Sequence, residues 1–150
     1  MTDPSISQHF RGQIIVGWRE WLAIPALGID RIKAKVDTGA RTSTLHAFAL
    51  KSYRDNGKTR LRFKIHPLQR NELTLVVCEA DVFDKRWVTD SGGHYELRYV
   101  IKTPIVLGNQ TWPIEITLTN RDTMGFRMLL GRTAMRRRLI VDPGQSYLTE

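Results

Sequence analysis

One cysteine, Cys78, stands in 150 residues. That excludes an intramolecular disulfide framework and any cysteine-based zinc finger, and it fits a reducing compartment. No apolar run approaches the roughly 18 residues that mark a transmembrane helix. Met1–Arg11 lacks a basic stretch followed by an apolar one, so no Sec-type leader is expected and a cytoplasmic location is. Acidic residues are also scarce: 15 Asp and Glu against 23 Lys and Arg leave a net charge of +8. Such a balance favours a polyanionic or acidic partner and says nothing about fold. There is no His-Glu-x-x-His pair, and His9, His46, His66 and His94 have no ligand spacing, so no metal is expected. A Gly-x-x-x-x-Gly-Lys-Ser/Thr loop is missing as well, which leaves nucleotide binding without a visible basis. No cofactor is expected. Internal repeats, low-complexity tracts and linkers are absent.

What is there is a chain of short apolar stretches. Hydrophobic residues make up 41%, enough for a packed core at this length. Residues 1–13 are polar and are expected to form a flexible segment; residues 14–150 read as one domain. From Ile32 to Val36 apolar and charged residues alternate, a strand period. Thr59–Ile65 alternates too, with Leu61, Phe63 and Ile65 on one face and Arg60, Arg62 and Lys64 on the other. Ile14–Val16, Trp21–Ile24, Leu73–Val77, Tyr95–Ile101, Ile105–Leu107 and Trp112–Leu118 are further strand candidates. Thr103-Pro104 divides two of them, and Leu107-Gly-Asn-Gln-Thr111 is a tight-turn signal. Only Thr133–Leu139 reads as a helix, about two turns long. Asp142-Pro-Gly144 reads as a turn and Ser146–Leu148 as a last short strand. The pattern predicts an all-β domain, a barrel or sandwich, with one short C-terminal helix.

Two stretches carry chemistry. Val36-Asp37-Thr38-Gly39-Ala40 ends a strand with a carboxylate entering a glycine turn, where burial and neighbours tune its acidity. Asp-Thr-Gly alone is also a plain turn sequence. Far downstream, Met128-Leu129-Leu130-Gly131-Arg132 places two apolar residues and a glycine before the helix. Between them, Ser91-Gly-Gly-His94 is a glycine-rich tip between β segments.

In this order and spacing the three stretches resemble the retropepsin-like aspartic proteases, over about residues 20 to 148. The match is closer to one bacterial branch. Asp37-Thr-Gly-Ala-Arg-Thr-Ser-Thr-Leu-His-Ala47, the Ser91-Gly92 region with Glu96 and Arg98, and Ile114-Glu-Ile-Thr-Leu-Thr-Asn-Arg121 look like small proteins labelled ATP-dependent zinc proteases. Those are often encoded beside glutamate ligases of the RimK type. The resemblance implies a closed β-barrel with a flap hairpin and an aspartic mechanism. Two carboxylates share one proton; one takes a proton from water as the other donates to the scissile carbonyl. Asp81-Val82 and Asp142-Pro143 do not repeat the Asp-Thr-Gly, so the resemblance implies a C2 homodimer contributing one Asp37 per chain.

Roles follow from the resemblance. Asp37, Thr38 and Gly39 form the catalytic loop: Thr38 braces it, and Gly39 lets the backbone approach its mate and the substrate. Ala40 lines the cleft. Ser91, Gly92, Gly93 and His94 belong to the flap, and Arg86, Glu96 and Arg98 flank it. Leu129, Leu130, Gly131 and Arg132 support the Asp37 loop. Viral retropepsins carry an acidic residue after the alanine, which pairs with the arginine of Gly-Arg. Here that position is Arg41, so Arg132 needs another partner. Arg41 would face substrate, with Arg86, His94 and Arg98 adding positive charge. The cleft is therefore expected to accept an acidic, Glu-rich peptide, and the ligase neighbourhood of the resembling family points to a glutamate tail on a ribosomal protein.

Other readings stand beside this one. A non-catalytic basic β-domain could bind RNA or an acidic protein through the charge and the Arg60–Arg62–Lys64 face. Along the sequence, aromatics are not interleaved with basic residues as a stacking platform needs. A metal-dependent peptidase is the third. Arg136–Arg138 reads as a solvated surface, His46 as a satisfied partner near the turn, and Cys78 as buried and inert. Trp18, Trp21, Trp87 and Trp112 read as core or interface anchors, and Glu96 as an ion-pair partner of Arg98 or Arg86.

Overall fold

The computed structural model describes residues 12–69, 71, 73–89, 92–120 and 125–150. Its strands are β1 (Ile14–Val16), β2 (Arg19–Ile24), β3 (Ile29–Asp37), β4 (Ser43–His46), β5 (Phe48–Asp55), β6 (Lys58–Ile65), β7 (Val76–Asp81), β8 (Asp84–Thr89), β9 (Tyr95–Leu107), β10 (Gln110–Thr119), β11 (Met128–Gly131) and β12 (Leu139–Val141). One helical turn, α1 (Arg132–Met135), lies between the last two. The all-β expectation holds.

Six strands follow one another in the order β10-β4-β11-β3-β2-β9, and β9 pairs back onto β10. The ring so formed leaves no open edge among the six, which removes the aggregation hazard of an exposed ladder. Inside it lie Leu22, Ile32, Ala34, Val36, Leu45, Ile101, Ile116, Met128 and Leu130, all buried. The β3 alternation explains this packing: Ile32, Ala34 and Val36 point in, Lys33 and Lys35 out. β8 hangs on β9 as the outer arm of a hairpin. β5, β6 and β7 form a separate three-stranded sheet. It buries Leu61, Phe63 and Ile65 and turns Arg60 and Arg62 to Asp81 and Glu79. β1 and β12 pair in parallel.

Several boundaries differ from the sequence expectation. β9 runs unbroken through Thr103-Pro104, because Pro104 sits opposite Pro113 on β10. The other neighbours, β2 and β4, pair only further along, at Val106 and from Ile116 onward, so neither missing N–H is needed by a ladder. The strand expected at Leu73–Val77 begins at Val76 instead; Leu73 and Leu75 are exposed. The expected two-turn helix at Thr133–Leu139 stops after Met135. Arg136 leaves helical geometry at ψ 127° and Arg137 has φ 65°, so Leu139 is free to start β12. Ser146–Leu148 is not a strand. Its backbone bonds to the β1–β2 corner: Trp18 N–H donates to the Gln145 carbonyl and Tyr147 N–H to that of Arg19.

A fully buried carboxylate, unforeseen from sequence, holds this corner. Glu20 Oε2 accepts the Gly17 and Leu148 N–H groups at 2.7 and 2.9 Å. Its Oε1 accepts the Thr149 N–H and hydroxyl at 3.2 and 2.9 Å. Four hydrogen bonds offset the cost of burying the group. The corner matters because Val36, the residue before Asp37, donates its N–H to the Trp18 carbonyl at 2.8 Å. No helix among the described residues is long and apolar enough to cross a membrane.

Candidate active site

Asp37 is the last residue of β3, in parallel register with Gly131 at the end of β11. The Gly39 N–H donates to Asp37 Oδ1 at 3.0 Å, and the Ala40 N–H donates to the Asp37 carbonyl at 3.2 Å. The chain thus turns at once and holds one carboxylate oxygen, and among the described residues Oδ2 accepts no hydrogen bond. Thr38 and Gly39 are exposed, and Asp37 and Ala40 half-buried.

The loop is strapped from below. Arg132 N–H donates to the Ala40 carbonyl at 2.8 Å, and Thr133 N–H to that of Arg41 at 3.1 Å. Gly131 N–H donates to Ser43 Oγ at 3.0 Å. Gly131 could carry no side chain: a Cβ there would sit 2.7 Å from the Thr42 carbonyl carbon and 2.9 Å from the Ser43 nitrogen. Leu129 and Leu130 flank this approach, Leu130 buried opposite Val36 and Leu129 half-buried beside Lys35. Arg132 has a partner that sequence reasoning left open. Its Nη1 donates to the Gly39 carbonyl at 3.2 Å, so a cation braces the loop through its backbone. Arg41 is exposed beside it. Ser43 is the supporting residue that sequence reasoning missed; nothing in a Thr-Ser-Thr run marks which hydroxyl faces β11.

The flap hairpin is β8–β9. Of its tip, Ser91 lies outside the described residues; Gly92, Gly93 and His94 are exposed, and Gly93 takes φ 80°, which a side chain disfavours. Arg86 and Arg98 face each other across the hairpin, an arrangement that repels unless each charge is matched. Each is. Arg86 donates through both terminal nitrogens to the two Glu115 oxygens at 3.1 Å and through Nε to Asp84 at 2.7 Å. Buried Arg98 donates to Glu96 at 3.1 Å, and Glu96 also accepts the Thr119 hydroxyl. Arg86 holds the Glu115 carboxyl below its ordinary range, and together with the Lys85 N–H it does the same to Asp84. These arginines therefore anchor the hairpin root to β10, and the cations that stand at the Asp37 loop itself are Arg41 and Arg132.

Residues read as incidental take their places. His46 is buried in β4. Burial pushes the Cys78 thiol up to about 12, and its S–H reaches the Leu27 carbonyl at 3.3 Å; it is no nucleophile at neutral pH. Trp112 is buried, with Nε1 donating to Ala134, whereas Trp87 is 69% exposed. Among the described residues no three His, Cys, Asp or Glu side chains converge, so those residues do not fit the zinc that the zinc-protease label would imply. Two cavities, about 430 and 540 Å³, lie against β6, β7 and β8 rather than Asp37.

One sequence reading is corrected here. Aromatic and basic residues, most of them apart along the chain, are interleaved in space. The Arg19 guanidinium lies 4.6 Å from the Trp18 ring and 4.9 Å from that of Tyr147. Arg31 lies 4.0 Å over Trp21, with Lys33 5.1 Å from the same ring. Pairing of β2 with β3 and the return of the C-terminal segment bring them together.

A strand-end Asp-Thr-Gly, backed by Leu-Leu-Gly from a parallel neighbour inside a ring of six strands, is the retropepsin-like arrangement. The comparison with known families is narrower: the family described as RimB-like, retropepsin-like aspartic endopeptidase RimB, matches residues 15–150, and the chain belongs to it. Among solved structures, a Legionella pneumophila protein of unknown function superposes with a TM-score of 0.74 at 27% identity, over 91% of this chain and 98% of that one. Among curated proteins, a probable alpha-L-glutamate ligase of Shewanella halifaxensis is 47% identical over 90% of this chain. One of Desulfotalea psychrophila is 50% identical over 86%. The chain spans only 30% and 28% of those two proteins.

Proposed function

We propose that this chain is an aspartic peptidase that hydrolyses an acidic, Glu-rich peptide or glutamate tail, working as a C2 homodimer in the cytoplasm. The observation that carries the reading is the Asp37 loop: a carboxylate with one oxygen held by Gly39 and the other directed to no partner, on a base locked to β11. Each chain supplies one such group, so two chains complete the site. Two carboxylates this close share a proton, and their titration belongs to the pair. The ionised member takes a proton from water; the water oxygen attacks the scissile carbonyl while the protonated member donates to its oxygen. Collapse of the tetrahedral species breaks the C–N bond and returns a proton to the leaving amine. Thr38, Gly39 and Ala40 shape the floor, and the β8–β9 flap, with Ser91, Gly92, Gly93 and His94 at its tip, closes over substrate and excludes water.

Arg41 supports the acidic class, because a guanidinium group recognises carboxylates geometrically. Relatives in which a matching segment occupies under a third of a protein named as a glutamate ligase support glutamate in particular. The test is Asp37→Asn. Hydrolysis of a Glu-rich peptide should fall on the order of 10²–10⁴-fold while the peptide still binds. Turnover that survives the substitution would overturn the proposal, and so would wild-type protein that cuts no acidic peptide.

A further inference from the structure

We propose that the outer face of β2 and β3 is a docking track that carries an extended acidic peptide toward Asp37. The inference rests on the reading of the chain as a peptidase for acidic peptides and adds where the rest of such a peptide lies. Arg31, Lys33, Lys35 and Asp37 occupy alternate positions of β3 and so share its outer face. Arg19 and Trp21 of β2 stand beside Lys35 and Lys33. The face is thus a line of cations that ends at the proposed catalytic carboxylate, about 20 Å long at strand rise.

Spacing identifies the guest. Same-face side chains of an extended peptide recur every two residues, about 6.8 Å apart. Lys33 and Lys35 recur on the same interval, and Arg31 precedes them at the irregularity of β3 between Ile29 and Ile32. A peptide laid along β3 therefore presents a carboxylate to each cation in turn, without buckling either chain. The charges are also available. Among the described residues Lys33 and Lys35 have no carboxylate partner, and Arg19 donates to the Ser146 hydroxyl rather than to an acid. Arg31 alone is shared, with Glu150.

The rings beneath prepare the track. Arg19, Arg31 and Lys33 lie over Trp18, Trp21 and Tyr147, which restrains long side chains without cancelling their charge. The same contacts argue against nucleic acid as the guest. A base needs an open ring to stack on. Here Trp21 carries Arg31 and Lys33 and stacks on Tyr147 at 6.2 Å, while Trp18 carries Arg19 and meets Phe126 edge-on at 5.8 Å.

The experiment is fluorescence anisotropy with labelled oligo-glutamates of about three and about eight residues, on the Asp37→Asn protein so that nothing is cut. The long peptide should bind more tightly than the short one. Joint Lys33→Gln and Lys35→Gln substitution should cost the long peptide about tenfold, and Lys33→Arg with Lys35→Arg should retain it. Unchanged affinity in the glutamine variant overturns the track. So does an oligo-uridylate of equal charge that displaces the peptide and is itself lost in that variant. A parallel cleavage assay on the unsubstituted chain separates the two readings. Long oligo-glutamate held through Lys33 and Lys35 but never cut keeps the track and overturns the peptidase. Cleavage indifferent to both lysines does the reverse.

Discussion

Arg41 stands immediately after the Asp-Thr-Gly-Ala turn, exposed, with its own carbonyl tied to Thr133. Its backbone is fixed and its charge is not neutralised by any acid among the described residues. In the proposed function a cation in that position selects substrate by sign. Arg41→Glu should therefore remove cleavage of a Glu-rich peptide while the backbone bond to Thr133 keeps the loop in place. Peptide cleavage assays on the variant decide it: undiminished cutting would mean that the charge at 41 does not face substrate. Arg132 is a different kind of cation. Its guanidinium is spent on the Gly39 carbonyl, so it holds the loop rather than the guest. The family resemblance sets Arg132 as support and Arg41 toward substrate, and leaves only the partner of Arg132 open; the Gly39 carbonyl is that partner.

The hairpin β8–β9 depends on charge at its root. The like-charged pair Arg86 and Arg98 is tolerable only because Glu115, Asp84 and Glu96 face it. Arg86 lowers the pKa of Glu115 and of Asp84 in the folded chain. A carboxylate with a depressed folded value stabilises above its unfolded value and loses that contribution as pH falls through the folded one. The anchor is therefore whole at neutral pH and fails in acid, below the ordinary values of 4.5 for Glu115 and 3.8 for Asp84. Glu115→Gln should lower stability at pH 7 by about 1 kcal/mol or less, since the pair is partly exposed. Denaturant titrations of both proteins should converge as the pH is lowered past that range. A gap that persists in acid would mean that the side chain acts by packing and not by charge. The sequence showed a hairpin here with a glycine tip, but Glu115, 29 residues from Arg86, carries no local mark of its role. The β9–β10 register makes the pair, by setting Glu115 opposite Lys102.

At the scale of the molecule, the proposed mechanism makes the ring of six strands half of a two-carboxylate site. Among the described residues, Asp81 and Asp142 lie in β7 and in the C-terminal turn and offer Asp37 no counterpart. Association should therefore govern activity. Sedimentation equilibrium over a wide concentration range, with and without a Glu-rich peptide, should show a dimer whose fraction parallels specific activity. A monomer at every concentration, peptide present, would leave a single carboxylate and remove the shared-proton mechanism. The net charge of +8 is a second molecular property. Part of it lies along β3, at Arg31, Lys33 and Lys35, and part in the exposed run Arg136–Arg138.

The sequence by itself determined the β class, the inward faces of β3 and β6 and the Asp37 turn, because each rests on neighbours within a few residues; the Leu129–Gly131 support followed from the family resemblance, since its contact with Asp37 joins distant strands. Alternation and turn chemistry are local, and so are legible. Tertiary structure decided the rest. It carried β9 through Pro104, because both prolines fall in one pair that asks for no donor. It ended α1 after one turn, because Leu139 pairs with Ile14 across the chain. It buried Glu20, which sequence would leave in solvent, because the returning C-terminal segment adds two N–H groups and one hydroxyl to the local Gly17 N–H that binds it. It also joined Trp18, Trp21 and Tyr147 with Arg19, Arg31 and Lys33 on one face. Hydrogen-bond partners far apart in sequence are chosen by the closing of the ring, and no short stretch of residues encodes that choice.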